Sequence, residues 1–413
     1  MTRFPFLVGG LLLPALTVLH AADPEPLQID ATATLKTARL GAVDVPNRAT
    51  LLAMHRGQYI LHAARGKLTR VPVHRVVLPH DNGLNPQSTQ VDLGPNDVVY
   101  VRQQNILCTS TDGGRTWTAR PLTLPPDMTL GHRWKVLRDG TFLSVGCKVG
   151  KNVREPAVVW VSTDKGTTWT KRAEIPLTMS LPTGRPYAAR YTHRGLTRLS
   201  DDTLLWAIDI RDDPFTLGHG LFCCRSIDGG HTWTKPALVH DWGSEGSAAL
   251  TRSGRVLATL RYQRKLHPTD PPDLEKRNGS ISKGWPWKHV FLIESRDHGL
   301  TWSRPRQLTT VFGQTFGYPA ARRDGTVVVI HDTRYGPGPP GSRAMISHDE
   351  GRTWEDEVYY LDVSRFSGSY SASVVLKDDT LLTISGSSQA GNTWEAVQKT
   401  TDFHAIRWNP GKP

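Results

Sequence analysis

The chain has 413 residues, 38% of them hydrophobic and 8% aromatic, enough for a large core and, on length alone, for two or three domains. Its 50 Lys and Arg against 38 Asp and Glu give a formal net charge of +12. The excess is spread along the chain and not gathered into the basic blocks typical of nucleic-acid binders, so acidic glycans or plain solubility account for it better.

At the N-terminus, Arg3 precedes an apolar run from Phe4 to Leu19, followed by small residues before Asp23. That pattern predicts a signal peptide over residues 1–22 and a secreted or periplasmic protein, with a membrane anchor as the alternative. Pro5 and Pro14 interrupt the run, and no later stretch is long and apolar enough to span a bilayer. The mature form is thus expected to have no membrane segment. Four cysteines, Cys108, Cys147, Cys223 and Cys224, match no zinc spacing. Buried thiols are the default expectation, and a Cys108–Cys147 disulfide is the alternative an exported protein would allow. No cofactor or metal pattern is present.

From Ser110 onward one pattern recurs, Ser-x-Asp-x-Gly-x-Thr-Trp. It begins at Ser110, Ser162, Ser226, Ser295 and Ser347, with starts separated by 52, 64, 69 and 52 residues. The chemistry is that of a turn: Asp accepts backbone N–H groups, Gly supplies a positive φ, and Ser and Thr close further bonds. Trp then fills space between sheets. Ahead of each copy lie two short strands joined by an Asp/Gly turn, as in Arg138-Asp-Gly140-Thr and Arg323-Asp-Gly325-Thr, and an apolar third strand runs into the pattern. A fourth strand after Trp completes a four-stranded unit. A sixth unit follows Trp354, and Thr400–Trp408 reads there as a decayed copy that keeps Asp402 and Trp408. The prediction is an all-β, six-bladed β-propeller of four-stranded antiparallel blades. It forms a single domain over 23–413, and the segment from about Gln28 to His80 supplies the strand that closes the ring, together with extra strands.

The repeat also serves as a ruler. Counting ten residues back from the residue after each Asp/Gly turn gives the start of each inner strand: Gln87, Gly131, His193, Glu245, Phe316 and Tyr370. Counting six forward gives the end of each second strand: Gln103, Cys147, Asp209, Arg261, Asp332 and Gly386. Two further lie Arg211, Gln263 and Arg334. In a meander these positions share one end of the blade, and the repeated turns lie at the other. One channel mouth therefore collects Glu245, Tyr370, His193, Asp209, Arg211, Arg261, Asp332 and Arg334, with His132 and Arg194 one step away. Converging carboxylates and arginines are a site signature; solvated strand ends are the plainer alternative.

On these motifs the chain resembles the sialidase superfamily over essentially its whole mature length. The resemblance implies a Tyr nucleophile activated by a Glu, arginines that grip a substrate carboxylate, and an Asp acid/base. Glu245 and Arg261 match the blade-four positions, and Tyr370-Ser371 matches the blade-six pair. For the blade-five arginine, nearness to the repeat points to Arg343 and the ruler to Arg334. Blade one departs from the family, with Asn85-Pro86-Gln87 and Gln103-Gln104-Asn105 where an Arg and an Asp would stand. Asp209, His80 and Asp81 are the substitutes available as proton donor. The expected activity is exo-hydrolysis of a terminal acidic sugar, sialic acid or a relative, with Tyr370, Glu245 and Asp209 as catalytic residues. Arg261, Arg343, Arg334, Arg211, Arg194, His193 and Asp332 are the expected substrate-binding residues. A uronate-glycan lyase and a non-catalytic glycan-binding propeller are the alternatives. The insertion Tyr262–Lys288 carries Trp285 and Trp287, which are placed to wall a sugar subsite unless the loop simply packs on the surface.

Overall fold

The computed structural model describes residues 45–79, 90–103, 105–124, 133–147, 150–151, 155–180, 189–191, 195–211, 219–278, 285–309, 312–335, 338–354, 357–365, 370–390 and 393–411; of Arg211 and Glu245 it describes the backbone alone. The predicted signal peptide lies outside these residues. Among them, no helix is long and apolar enough to cross a membrane.

Six antiparallel sheets form the blades of a propeller. Blade one runs Gln90–Leu93, Val99–Gln103, Ile106–Ser110 and Thr118–Pro121, from the channel outward. Blade two runs Arg133–Val136, Phe142–Gly146, Ala157–Ser162 and Thr170–Ile175. In blade three the inner strand is divided into Ala189–Tyr191 and Leu196–Arg198, both paired with Leu204–Arg211. Blades four and five start on Ser244–Leu250 and Gln314–Ala321, and blade six on Ala372–Val375. Each inner strand touches the next, and blade six touches blade one, so the ring closes.

The repeated turns are joints between blades. In each, Asp accepts N–H groups from the following loop, and the Thr hydroxyl donates to its second oxygen, as from Thr232 to Asp228 at 2.5 Å. Slight burial would raise these carboxyls, but the hydrogen bonds from Thr, Ser and backbone hold Asp228, Asp297 and Asp349 down to about 2. The glycine has φ near +90° in each copy, and its missing side chain makes room for a leucine of the preceding blade. A Cβ on Gly299 would lie 2.7 Å from Leu205, and one on Gly351 2.8 Å from Leu257. Gly299→Ala should therefore lower the unfolding free energy by about 3 kcal/mol, from a left-handed backbone strain and an overpacked joint together. Urea denaturation checks this; an unchanged midpoint would contradict the joint.

Ring closure follows the predicted plan and corrects one detail. The strand His74–Val77 pairs with Thr401–Trp408 and is the fourth strand of blade six. Thr400–Trp408 is thus not a decayed turn. Thr401–Trp408 is blade six's third strand, preceded by the helix Trp394–Thr400. The physical reason is connectivity: the turn belongs to the hairpin between third and fourth strands, and here the fourth strand arrives from the other end of the chain. The preceding hairpin, Tyr59–Ala64 with Lys67–Pro72, widens blade five by pairing Leu61 with Tyr360.

A buried polar clasp holds this closure. The helix Arg48–Arg56, capped by the Asn47 side chain accepting from Thr50 N at 2.9 Å, packs Leu51 and Met54 into the core and presents His55. His55 Nδ1 lies 2.6 Å from Asp362 Oδ1, Ser385 donates to the other oxygen at 3.0 Å, and Arg75 of the closing strand donates to Leu361 O at 2.9 Å. Asp362 is fully buried, which would raise its carboxyl, but its hydrogen bond to His55 and the charges of His404, His55 and Arg75 hold it well below the usual carboxylate range.

All four cysteines are buried free thiols, so the Cys108–Cys147 disulfide does not form. Burial pushes the Cys108 thiol up to about 12. Trp287 belongs to the core, not to a sugar platform. It is 0% exposed and packs among Tyr262, Phe291 and Phe312, with the Arg264 guanidinium over its ring at 4.6 Å. The insertion folds back because Leu274, on its short helix, is also drawn into that cluster.

Candidate active site

The ruler positions coincide with backbone irregularities. In blade four Ser244 pairs with Arg261 and the register then slips before Ser247; in blade five Thr315 pairs with Asp332 and slips before Tyr318. The residues inside these bulges are Glu245 and Gly246 in blade four and Phe316 and Gly317 in blade five. Phe316 has φ +57° and Tyr370, at the same count in blade six, has φ +46°. Bulky residues in the left-handed region cost free energy that the surroundings must offset, and such positions gather at functional sites.

Asp332 does the offsetting for Tyr370. Its carboxylate oxygens accept the Tyr370 backbone N–H at 3.0 and 3.2 Å. Arg334 Nη2 donates to the Tyr370 phenol oxygen at 3.0 Å. The Tyr370 ring lies 4.0 Å from that of Phe316. Phe316 in turn carries two guanidinium groups, Arg261 at 4.3 Å and Arg334 at 4.6 Å from its centroid. Arg261 also donates to Gln263 Oε1. An aromatic face is an apt support for a cation in a dry site, because it attracts the charge without neutralising it. Tyr370, Phe316, Arg261, Arg334 and Asp332 are all buried.

Lys288 joins this group from the third strand of blade four. It is buried, and its ammonium donates to Trp285 O. Burial first, then the charges of Arg334 and Arg261, push it well below its ordinary value. Tyr335, close by, is raised by burial against the lowering effect of Arg334.

Of the two blade-five arginines, Arg334 meets Tyr370. Arg343 pairs with His331 and Tyr360 across the sheet and holds its guanidinium 4.9 Å over the Tyr360 ring. Cross-strand partners share a sheet face, and Asp332 pairs instead with Ser342, whose hydroxyl lies 2.7 Å from that of Ser371. Strand parity thus places Arg343 away from Asp332. Asp209 is buried at the matching register of blade three, paired with Tyr191 and Leu221. His193 and Arg194, like His80 and Asp81, lie outside the described residues, as do the side chains of Arg211 and Glu245.

Sequence reasoning passed over several residues. Phe316 stood in the aligned column but offered no reactive group, and Lys288 was counted as the end of a loop. In blade one Gln103 is 0% exposed, and neither its amide oxygen nor its nitrogen has a partner among the described residues. It occupies the register of Arg261 and Asp332, so a neutral hydrogen-bonding group stands where charge was sought. Arg102 and Arg133, from blades one and two, are buried cations one or two residues off the counted positions; burial lowers Arg102 to about 10.

Fold and site together define a six-bladed propeller with an arginine-backed tyrosine at one channel mouth. No protein-family model and no curated protein matches the sequence. Solved structures do share the fold. One is a protein of unknown function from Dyadobacter fermentans, at TM-score 0.56 and 17% identity, over 81% of this chain and 98% of that one. Another is the α-L-arabinofuranosidase Arb93A of Fusarium graminearum, at TM-score 0.54 and 16% identity, over 81% and 96%. A third is NanB, solved with Optactamide, at TM-score 0.51 and 12% identity, over 80% and 70%. At these identities the likeness is one of fold.

Proposed function

We propose that this chain is a retaining glycoside hydrolase that releases a terminal acidic sugar, sialic acid or a relative, from a glycan. The observation that carries the reading is the Arg334–Tyr370 contact, set on a backbone that Asp332 holds in the left-handed region. In this mechanism the Tyr370 oxygen attacks the anomeric carbon, and Arg334 stabilises the negative charge that builds on that oxygen as its proton leaves. Glu245, in the bulge of blade four, takes that proton. Arg261 and Arg334 bind the sugar carboxylate through charge-assisted hydrogen bonds, for which the planar guanidinium is suited. A phenol is a better nucleophile here than a carboxylate, which an anionic sugar would repel. Asp209 is the candidate for protonating the leaving oxygen as the glycosidic bond breaks. In the second step it takes a proton from the water that cleaves the tyrosyl–sugar bond, and Glu245 returns its proton to the Tyr370 oxygen. That a furanosidase of neutral arabinose shares the fold makes a neutral sugar the comparison to test.

The test is a substrate panel: sialyl-lactose, uronate-terminated oligosaccharides and an aryl α-L-arabinofuranoside, with the first-formed anomer read by NMR. Release of an acidic sugar with retained configuration is expected. A new ultraviolet band from an unsaturated uronate, or inverted product, would sink the reading. Phe316→Ala should lower kcat/KM by about 30-fold, since two guanidinium groups lose a support of about 1 kcal/mol each. Phe316→Tyr should largely preserve it; equal activity of Phe316→Ala and wild type would contradict the role.

A further inference from the structure

At the opposite mouth, on the face of the repeated turns, we propose a second ligand site, one that binds an acidic oligosaccharide through its carboxylates or sulfates. A cavity of about 740 Å³ opens there, and residues from the inner strands and turns of all six blades line it. Six cationic side chains face it, Lys135, Arg138, Arg198, Arg252, Arg322 and Arg323, against one carboxylate, Asp92. Its size is that of a ligand pocket.

The repeat builds this mouth. Three residues before the one that follows each Asp/Gly turn stand Arg138 in blade two, Arg252 in blade four, Arg323 in blade five and Lys377 in blade six. One turn position therefore sets cations round the rim. The next-door turn aspartates do not face the cavity with them. Asp139, Asp201, Asp324 and Asp378 each accept the N–H of the residue two further on, at 2.8 to 3.1 Å, which is what the turn requires of them. Some cations are partly engaged. Lys135 lies 3.7 Å from Asp92, Arg138 and Arg198 both meet Asp202 at 3.1 Å, and Arg322 meets Asp324 at 2.9 Å and Asp379 at 3.6 Å. Arg323 donates to Leu376 O and Lys377 O. These contacts use only part of the five N–H groups each guanidinium carries. Arg252 is exposed and has no hydrogen bond or ion pair to a described residue.

A concave wall lined with guanidinium groups focuses positive potential and suits a chain with anions at intervals. Tyr318 and Pro319 add apolar surface against which a sugar ring can lie. The two mouths are distinct. None of Tyr370, Phe316, Arg261, Arg334 and Asp332 lines this cavity. A separate space of about 20 Å³, lined in part by Gln90, Arg133, Tyr318 and Ala372, has room for about one water. The second site therefore stands or falls independently of the hydrolase reading.

The experiment is calorimetric titration of the full chain carrying Tyr370→Phe, so that no probe is turned over, with tetragalacturonate, a heparin-derived tetrasaccharide and neutral cellotetraose, at 20 and 200 mM salt. At least one acidic probe should bind, about tenfold or more weaker at the higher salt, and cellotetraose should not. The acidic probe that binds tells carboxylate from sulfate recognition. Arg138→Ser with Arg252→Ser should weaken at least tenfold the binding that persists once Arg334→Ser has disabled the tyrosine site. Both rim arginines project from turns, and circular dichroism verifies that the variant is folded. Absence of binding by either acidic probe at low salt overturns the proposal. So does binding that the rim variant leaves intact, or binding that Arg334→Ser abolishes.

Discussion

Tyr370→Phe is expected to lower kcat by on the order of 10³- to 10⁴-fold while leaving substrate affinity within a few-fold. The substitution removes one oxygen and nothing else that holds the site. The ring keeps its place 4.0 Å from Phe316, and the backbone N–H keeps its bonds to Asp332. Arg334 loses the phenol as a partner but retains the face of Phe316 at 4.6 Å. Binding through the arginines should therefore survive where chemistry does not. Single-turnover kinetics beside a binding titration separates the two. A variant that still turns over at wild-type rate would remove Tyr370 as nucleophile; one that loses binding and folding together would mark it as structural.

The second large effect is on stability. Urea midpoints should fall steeply as pH drops from about 6.5 to 4. Three buried histidines drive this. Burial is the first cause in each: His289 and His331 are lowered to about 3, and His404 to about 4. Arg343 adds to the lowering at His331, while Asp362 works against it at His404. In the unfolded chain all three take up protons below about 6.5, and in the folded chain they stay neutral until about 4 or 3. Protons thus bind preferentially to the unfolded state across that window. Each histidine removes about 1.4 kcal/mol per pH unit, and the three together on the order of 4 kcal/mol per unit. Asp362 acts in a lower window. Its depressed carboxyl contributes stability above the unfolded value near 4, and that contribution is lost as pH falls below it. His331→Asn should flatten the slope between pH 6.5 and 4 by about a third. A midpoint that does not change between pH 7 and 5 would contradict the account.

Much of this was legible in the chain alone because a propeller repeats itself. The spacing of the Ser-x-Asp-x-Gly-x-Thr-Trp turns carries blade number, and counting from each Asp/Gly turn carries register. That count placed Glu245, Phe316 and Tyr370 at one level, and the bulges and positive φ angles fall there. Other readings stopped short where distance along the chain is not the governing quantity. The count pointed to Arg334, which meets Tyr370, while nearness to the repeat pointed to Arg343, which strand parity sets beside Tyr360. Trp287 looked like a sugar platform within an insertion, yet it packs beside Phe291 and Phe312 in the core.

By itself the sequence determined the six blades, the turn chemistry that joins them and the level at which a site would form, since all three are properties of a period. Only the tertiary structure decided which neighbours meet at that level. The packing of Arg261 and Arg334 against Phe316, the burial of Lys288 beside them, and the closing strand that leaves blade six without a turn arise from contacts between distant parts of the chain. The blades are linked in sequence by tens of residues and in space by a few ångströms, and no local pattern records those contacts.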